Sequence, residues 1–167
     1  MEDRDEAVQA HREMILEDFD FLLDSLGAYD ENESWASYIA RVDSIQKGQN
    51  IPSGWVPATF LIAEVDGQII GRVSIRHELN EFLERTSGHI GYGVRPKFRL
   101  QGFATEILRR ALEISRSLEI EKVLVTCDNA NTASSRVIEK CGGVLEKIVE
   151  LDNGEILRRY WIAIEAS

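Results

Sequence analysis

The stretch Val94-Arg-Pro-Lys-Phe-Arg-Leu-Gln-Gly-Phe-Ala-Thr105 links a short apolar segment, residues 90–94, to an amphipathic one. It gathers three cations (Arg95, Lys97 and Arg99), a glycine at 102 and the hydroxyl of Thr105. A turn that opens a helix leaves main-chain N–H groups unpaired and sits at the positive end of the helix dipole, about half a charge. It is a ready anion site. Gly102 lets a ligand approach the backbone closely, and Ala104 keeps the first helical turn narrow. The chain carries 29 Asp and Glu against 19 Lys and Arg, a net charge of −10, so this basic turn is a local exception. It suits a phosphate-bearing small molecule. Spacing alone also allows a ligand-free strand-to-helix connection. No Gly-Lys-Ser/Thr follows, which excludes a P-loop. No Gly-x-Gly-x-x-Gly opens the helix, so a dinucleotide fingerprint is absent.

The elements that must position this turn can be read from periodicity. Residues 3–26 show helical spacing through Ala7, Val8, Met14, Ile15, Phe19, Leu22 and Leu23, with Gly27 as a stop. Asn32 or Ser34 caps a second helix through Trp35, Tyr38, Ile39, Val42 and Ile45, ending near Lys47 and Gly48. Residues 49–57 form an ordered loop. Residues 59–65 and 68–76 are strands joined by Asp66-Gly67, a strong hairpin signal. Residues 78–86 are a short helix or loop, and 89–94 a strand. The clearest helix runs from Gly102 to Leu118, and 122–127 is a nearly continuous apolar strand. Asn131 caps a helix stopped by Gly142-Gly143. Residues 144–151 and 155–164 flank Asp152-Asn153-Gly154 as a final hairpin. The order implies a single α/β (α+β) domain over residues 1–167. It has a mixed, mostly antiparallel sheet flanked by helices, with two parallel central strands joined by a helical crossover.

Composition narrows the partners. The acidic balance lacks the basic patch that nucleic acid requires; an acidic field is compatible with a cationic acceptor such as an amine, and equally with the ordinary acidity of many soluble proteins. No run of about 18 apolar residues predicts a membrane span. The N-terminal residues have no signal-peptide character, so a cytoplasmic location is expected. Cys127 and Cys141 read as reduced thiols. The histidines lack metal-ligand spacing, so no metal is expected.

Residues 94–105 resemble the acyl-CoA-binding motif of the GNAT superfamily of N-acyltransferases, Gln/Arg-x-x-Gly-x-Gly/Ala. Arg99, Gly102 and Ala104 stand at its defining positions. Asn131-x-x-Ser134 and Glu139-Lys-Cys-Gly-Gly143 are similar to the family's second CoA-side element. The resemblance runs from about residue 57 to 163. Residues 74–80 with 88–92 resemble a bacterial subgroup of predicted acetyltransferases. The resemblance implies acetyl-CoA lying between two splayed strands, residues 89–94 and 122–127. Tyr92, Gly93 and Val94 would offer main-chain bonds to its pantetheine, and an N–H near Val94 would polarise the thioester. Arg99, Leu100, Gln101, Gly102, Phe103, Ala104 and Thr105 would hold the pyrophosphate. Asn131 and Ser134 would touch the other side of the arm.

The implied activity is N-acetyl transfer to a primary amine of a small molecule or peptide by direct attack. Such an attack needs an unprotonated amine. His89, His77, Glu78 and Glu81 are candidate bases, with His89 first. Arg76, His77 and Asn80 are candidate acceptor residues. Trp35, Tyr38, Trp55 and Trp161 are candidates for lining the acceptor side. Many members place a tyrosine acid where this chain has Ile138, so Tyr92, Ser134 or a water would protonate the leaving thiolate. The usual first strand is expected to be missing. Homodimers are common in the family. The alternatives are a non-catalytic acyl-CoA sensor and an interaction protein using the acidic N-terminal helices.

Overall fold

The computed structural model describes residues 3–22, 29–30 and 32–164. Two helices lead, α1 (Asp3–Ile15) and α2 (Trp35–Gln46), and no strand precedes them among the described residues. Ser34 caps α2 by accepting from Ser37 N–H, while Asn32 bonds Asp30 instead. Then follow β1 (Ala58–Val65), β2 (Gln68–Arg76), the short α3 (Glu81–Arg85), β3 (Ile90–Val94) and α4 (Phe103–Ser117). The chain ends with β4 (Lys122–Asp128), α5 (Thr132–Lys140), β5 (Val144–Glu150) and β6 (Ile156–Ala163). No helix among the described residues is long and apolar enough to cross a membrane.

The expected first helix stops early. Its apolar spacing continues through Phe19 and Leu22, but Asp18 adopts φ 55° and Phe19 N–H turns back onto Met14 O. Leu23 and Gly27 lie outside the described residues. The Asp66-Gly67 turn has φ values of 51° and 72°, the type I′ geometry that matches strand twist.

Among the described residues, six strands form two three-stranded antiparallel sheets, ordered β1-β2-β3 and β4-β6-β5. One apolar core lies beneath α4 and α5, built on Ile75, Ile90, Leu108, Val123, Val125, Ile138 and Tyr160. A second lies between α1, α2 and the other sheet, around Met14, Phe21, Leu22, Tyr38 and Ile69. Within this second cluster Trp35 stacks on Tyr38 and Tyr29 meets both rings edge-on, so Tyr38 is core and Trp35 half-buried against it.

Where the two sheets meet, β3 and β4 form no ladder. One isolated bridge joins Gly88 to Val125, antiparallel in its local bonding, with Gly88 at φ 65°. His89 completes the clasp: its N–H donates to Leu124 O at 2.7 Å, and Leu124 N–H donates to His89 Nδ1 at 3.0 Å. The α4 crossover brings the start of β4 beside the start of β3. The two strands leave the clasp in the same direction and splay apart.

Candidate functional site

Hydrogen-bond phase decides what the two splayed strands offer each other. Arg76 N–H donates to His89 O, and Arg95 N–H donates to Ile70 O. The register between them pairs Gly91 with Ser74 and Gly93 with Arg72. Antiparallel bonding alternates, so those pairs spend their main-chain groups on β2. The main-chain groups of Tyr92 and Val94 therefore point toward β4. On β4, Glu121 O and Ile156 O take bonds from Ile164 and Asn129. By the same alternation Leu124, Thr126 and Asp128 face β3. Below the clasp lies a V lined by backbone from Tyr92 and Val94 on one arm and Thr126 and Asp128 on the other.

Gly93 has a different role from the one expected. Its main-chain groups are used by the β2 ladder, and its missing side chain is what counts. A Cβ there would stand 2.4 Å from Phe19 Cζ. Phe19 is itself held beneath the Arg72 guanidinium at 4.5 Å.

At the open end of the V stands the turn before α4. Gly102 is the N-cap residue, at φ 87°, with no side-chain cap. Among the described residues, nothing accepts from the N–H groups of Phe103 and Ala104. Gly102 has no atom within 4 Å of where a Cβ would sit, which leaves a cradle open to solvent. Leu100 reaches φ 62° with its side chain fully exposed, Gln101 reaches back to Lys97 O, and Thr105 O accepts from Cys141. This is the shape a diphosphate needs: free donors, a helix dipole and no side chain in the way.

The cations of the turn do not all face it. Arg95 is completely buried. It forks onto Glu13 at 2.8 and 2.9 Å, and bonds Glu6 at 3.0 Å and Ile69 O at 2.9 Å. Arg95 and Glu13 each stabilise the charged form of the other through these bonds, so the carboxyl lies below its usual range and the guanidinium above. Arg99 bonds Val94 O at 3.0 Å and Glu17 at 2.5 Å. Two of the three cations therefore fasten α1 and its following turn; Arg99 does so from an exposed position, and Lys97 is exposed with Nζ over the Phe98 ring at 4.8 Å. The sequence signal was present: Glu6 and Glu13 lie seven residues apart, on one face of a helix.

Across the V, Asn131 caps α5 by accepting from Ser134 N–H at 3.0 Å. Ser134 Oγ meets Tyr92 Oη at 2.9 Å. This contact spans β3 and α5 beside Cys127, whose thiol burial raises. Burial also pushes the Tyr92 phenol up to about 12, so Tyr92 holds its proton at neutral pH. The position where many relatives carry a tyrosine is Ile138, fully buried.

The other expected residues are placed as follows. His89 is 7% exposed and gives its acceptor nitrogen to Leu124 N–H. A neutral imidazole bonded in this way carries its hydrogen on Nε2, leaving no lone pair to take a proton from an amine. Burial and then the nearby Arg76 charge pull its pKa down to about 4. His89 is thus a clasp residue rather than a base. Its folded pKa lies below the unfolded value, so its contribution to stability is complete above about pH 6.5. It should shrink as pH falls toward 4, by about 3 kcal/mol in full. Chemical denaturation from pH 7.5 to 4.5 should show this loss, and His89→Gln should flatten it. Arg76 is buried and donates to Gly88 O. His77 pairs with Thr59 at 2.8 Å, and burial holds its pKa low. Asn80 caps α3 and reaches Gly54 O. Trp161 lies near His89. The structure brings Tyr92, Val94, Gly102–Thr105 and Ser134 to one V, and keeps Arg76, His77 and Asn80 on the far face.

Comparison with known proteins agrees with this geometry. Residues 2–144 match the model of the acetyltransferase (GNAT) domain. No curated protein matches the chain in sequence. Among solved structures, a microcin C7 self-immunity acetyltransferase in complex with acetyl-CoA and AMP is 17% identical, with a TM-score of 0.68, over 98% of this chain and 88% of that one. A putative acetyltransferase of Salmonella typhimurium, solved with acetyl-CoA, is 14% identical, with a TM-score of 0.61, over 96% and 91%. A spermidine N-acetyltransferase variant of Vibrio cholerae is 18% identical, with a TM-score of 0.61, over 96% and 90%. With its splayed strands, open helix N-terminus and matching family model, the chain belongs to the GNAT acetyltransferase family.

Proposed function

We propose that the protein transfers the acetyl group of acetyl-CoA to a primary amine by direct attack. The observation that carries this reading is the V. Its arms turn main-chain groups of Tyr92 and Thr126 and the N–H groups of Val94 and Asp128 toward the space a pantetheine would fill, while the carbonyls of Val94 and Asp128 are taken by Arg99 and Asn131. Its mouth is the donor cradle at Gly102, Phe103 and Ala104. The diphosphate binds those N–H groups, and Val94 N–H points at the thioester oxygen, stabilising the charge that grows there.

The amine nitrogen attacks the thioester carbon and the carbon–sulfur bond breaks. The sulfur leaves with its electron pair and takes a proton. Tyr92 is the donor: it is protonated at neutral pH, Ser134 orients its hydroxyl at 2.9 Å, and the tyrosinate takes its proton back from the water that received the amine's. A thiol of ordinary pKa near 8.5 is a tolerable leaving group, so this assistance is a moderate one. With His89 committed to Leu124, water receives the proton of the attacking amine.

The test is thiol release from acetyl-CoA with a panel of primary amines, alongside calorimetric titration with CoA. Saturable, amine-dependent release is expected. Micromolar CoA binding with no turnover on any amine would leave an acyl-CoA sensor. Absence of CoA binding would remove the reading altogether.

A further inference from the structure

Behind the V, on the face of β4 away from α4 and α5, lies a cleft of about 580 Å³. This is within the range of small-molecule sites, roughly 300–1,000 Å³. Three segments distant in sequence close around it: Gly54 of the ordered loop, α3 with Asn80 and Thr86, and residues 151–153 at the tip of the last hairpin. Phe82 and Leu151 supply its apolar walls.

Phe82 is 67% exposed on a helix of five residues. Such a helix is too short to hold a shape alone, yet this one is pinned at both ends. Asn80 caps its start and ties it to Gly54 O. At its end Arg159 donates to Glu84 O, and Thr126 Oγ1 donates to Thr86 O at 2.9 Å. A large aromatic ring is thus presented to the cleft by a fixed frame. A lone exposed aromatic is ordinary on a protein surface; this one differs in being fixed in place opposite Leu151 across a cleft.

The Thr126–Thr86 bond also says what the cleft serves. Thr126 is the residue whose main chain faces β3 inside the V, and Thr86 is a wall of the cleft. Donor site and cleft therefore meet through one hydrogen bond, on opposite sides of the strand layer. Val123, Val125 and Cys127 pack toward α4 and α5, while Thr126 points to α3. A nucleophile must approach from the side the donor does not occupy.

We infer that this cleft holds the body of the acceptor, and that the acceptor is an amine with an apolar, ring-sized substituent. The inference rests on the transferase reading above. Phe82 stacks on that substituent and Leu151 packs its other side. Glu81 and Asp152 stand at the walls, with Arg85 lying 3.5 Å from Asp152. The charges that remain disfavour a carboxylate or phosphate on the acceptor body.

The experiment uses the full chain with phenethylamine and ethanolamine as probes. Wild type should show kcat/KM at least tenfold higher for phenethylamine. Phe82→Ser should bring that ratio close to one, chiefly through the phenethylamine KM. Leu151→Asn should move it in the same direction. A binding readout stands apart from turnover. In protein with labelled leucine methyl groups, phenethylamine should shift the Leu151 resonance, and less so in Phe82→Ser. An unshifted Leu151 methyl, or a selectivity ratio indifferent to Phe82, overturns the assignment. A Leu151 shift without acetyl transfer to any amine of the wider panel would overturn the transferase reading and leave the cleft as an amine site.

Discussion

Gly102→Val is expected to reduce CoA affinity by at least a hundredfold while leaving a folded protein. The argument separates the two effects. A Cβ at Gly102 meets no protein atom within 4 Å outside its chain neighbours, so the fold leaves open space where the side chain starts. The φ of 87° costs a non-glycine residue about 1–3 kcal/mol, which for a domain of this size lowers Tm by several degrees. The isopropyl group then occupies the space in front of the Phe103 and Ala104 N–H groups. A diphosphate held there loses its charge-assisted bonds, each worth about 1.5–3 kcal/mol. Two such bonds correspond to a factor of a hundred or more. Calorimetric titration with CoA, paired with a thermal melt, measures both numbers. Normal CoA binding by a folded variant would put the diphosphate elsewhere.

Tyr92→Phe is the second large effect. It deletes one oxygen, the partner of Ser134 at 2.9 Å, and leaves the ring packed against the core. If Tyr92 protonates the leaving sulfur, kcat should fall roughly 10²-fold, the lower end of general acid catalysis. The KM for acetyl-CoA should move less than threefold, because the residue contributes to binding through its main chain. The loss should be smaller for an acetyl donor whose leaving thiol is more acidic than that of CoA, such as an aryl thioester, which needs less help in leaving. An equal loss for both donor types would reduce Tyr92 to a packing residue.

Much of the donor half of this site was legible in sequence for a simple reason. Residues 90–117 form a local unit in which apolar alternation, a glycine and a strong helical stripe follow one another, so neighbours determine its shape. The Asn131 cap and Ser134 are local in the same sense. What could not be read was set by distant partners. Arg95 and Arg99 look alike in a basic turn, yet Glu6, Glu13 and Glu17 claim them, from more than 80 residues away. His89 has the right chemistry for a base, but Leu124 N–H on another strand uses the lone pair that chemistry needs. Gly93 was legible as a backbone contributor, whereas its actual value lies in the space it leaves for Phe19. The end of α1 escaped for the opposite reason: its apolar period continues past the point where Asp18 turns the chain.

The Arg95 clasp also orders events in time. Glu13 and Arg95 are 82 positions apart, and their fork cannot form until the intervening chain has been made and two sheet strands have met. Closing a loop of that length costs entropy before any contact repays it. On a ribosome α1 emerges early and must wait, with its carboxylates in water, for the residue it will bury. Arg95, in turn, is a costly charge to take out of solvent without both partners. The turn at residues 94–105, locally determined though it is, is therefore fastened through Arg95 only once the distant N-terminal helix has docked.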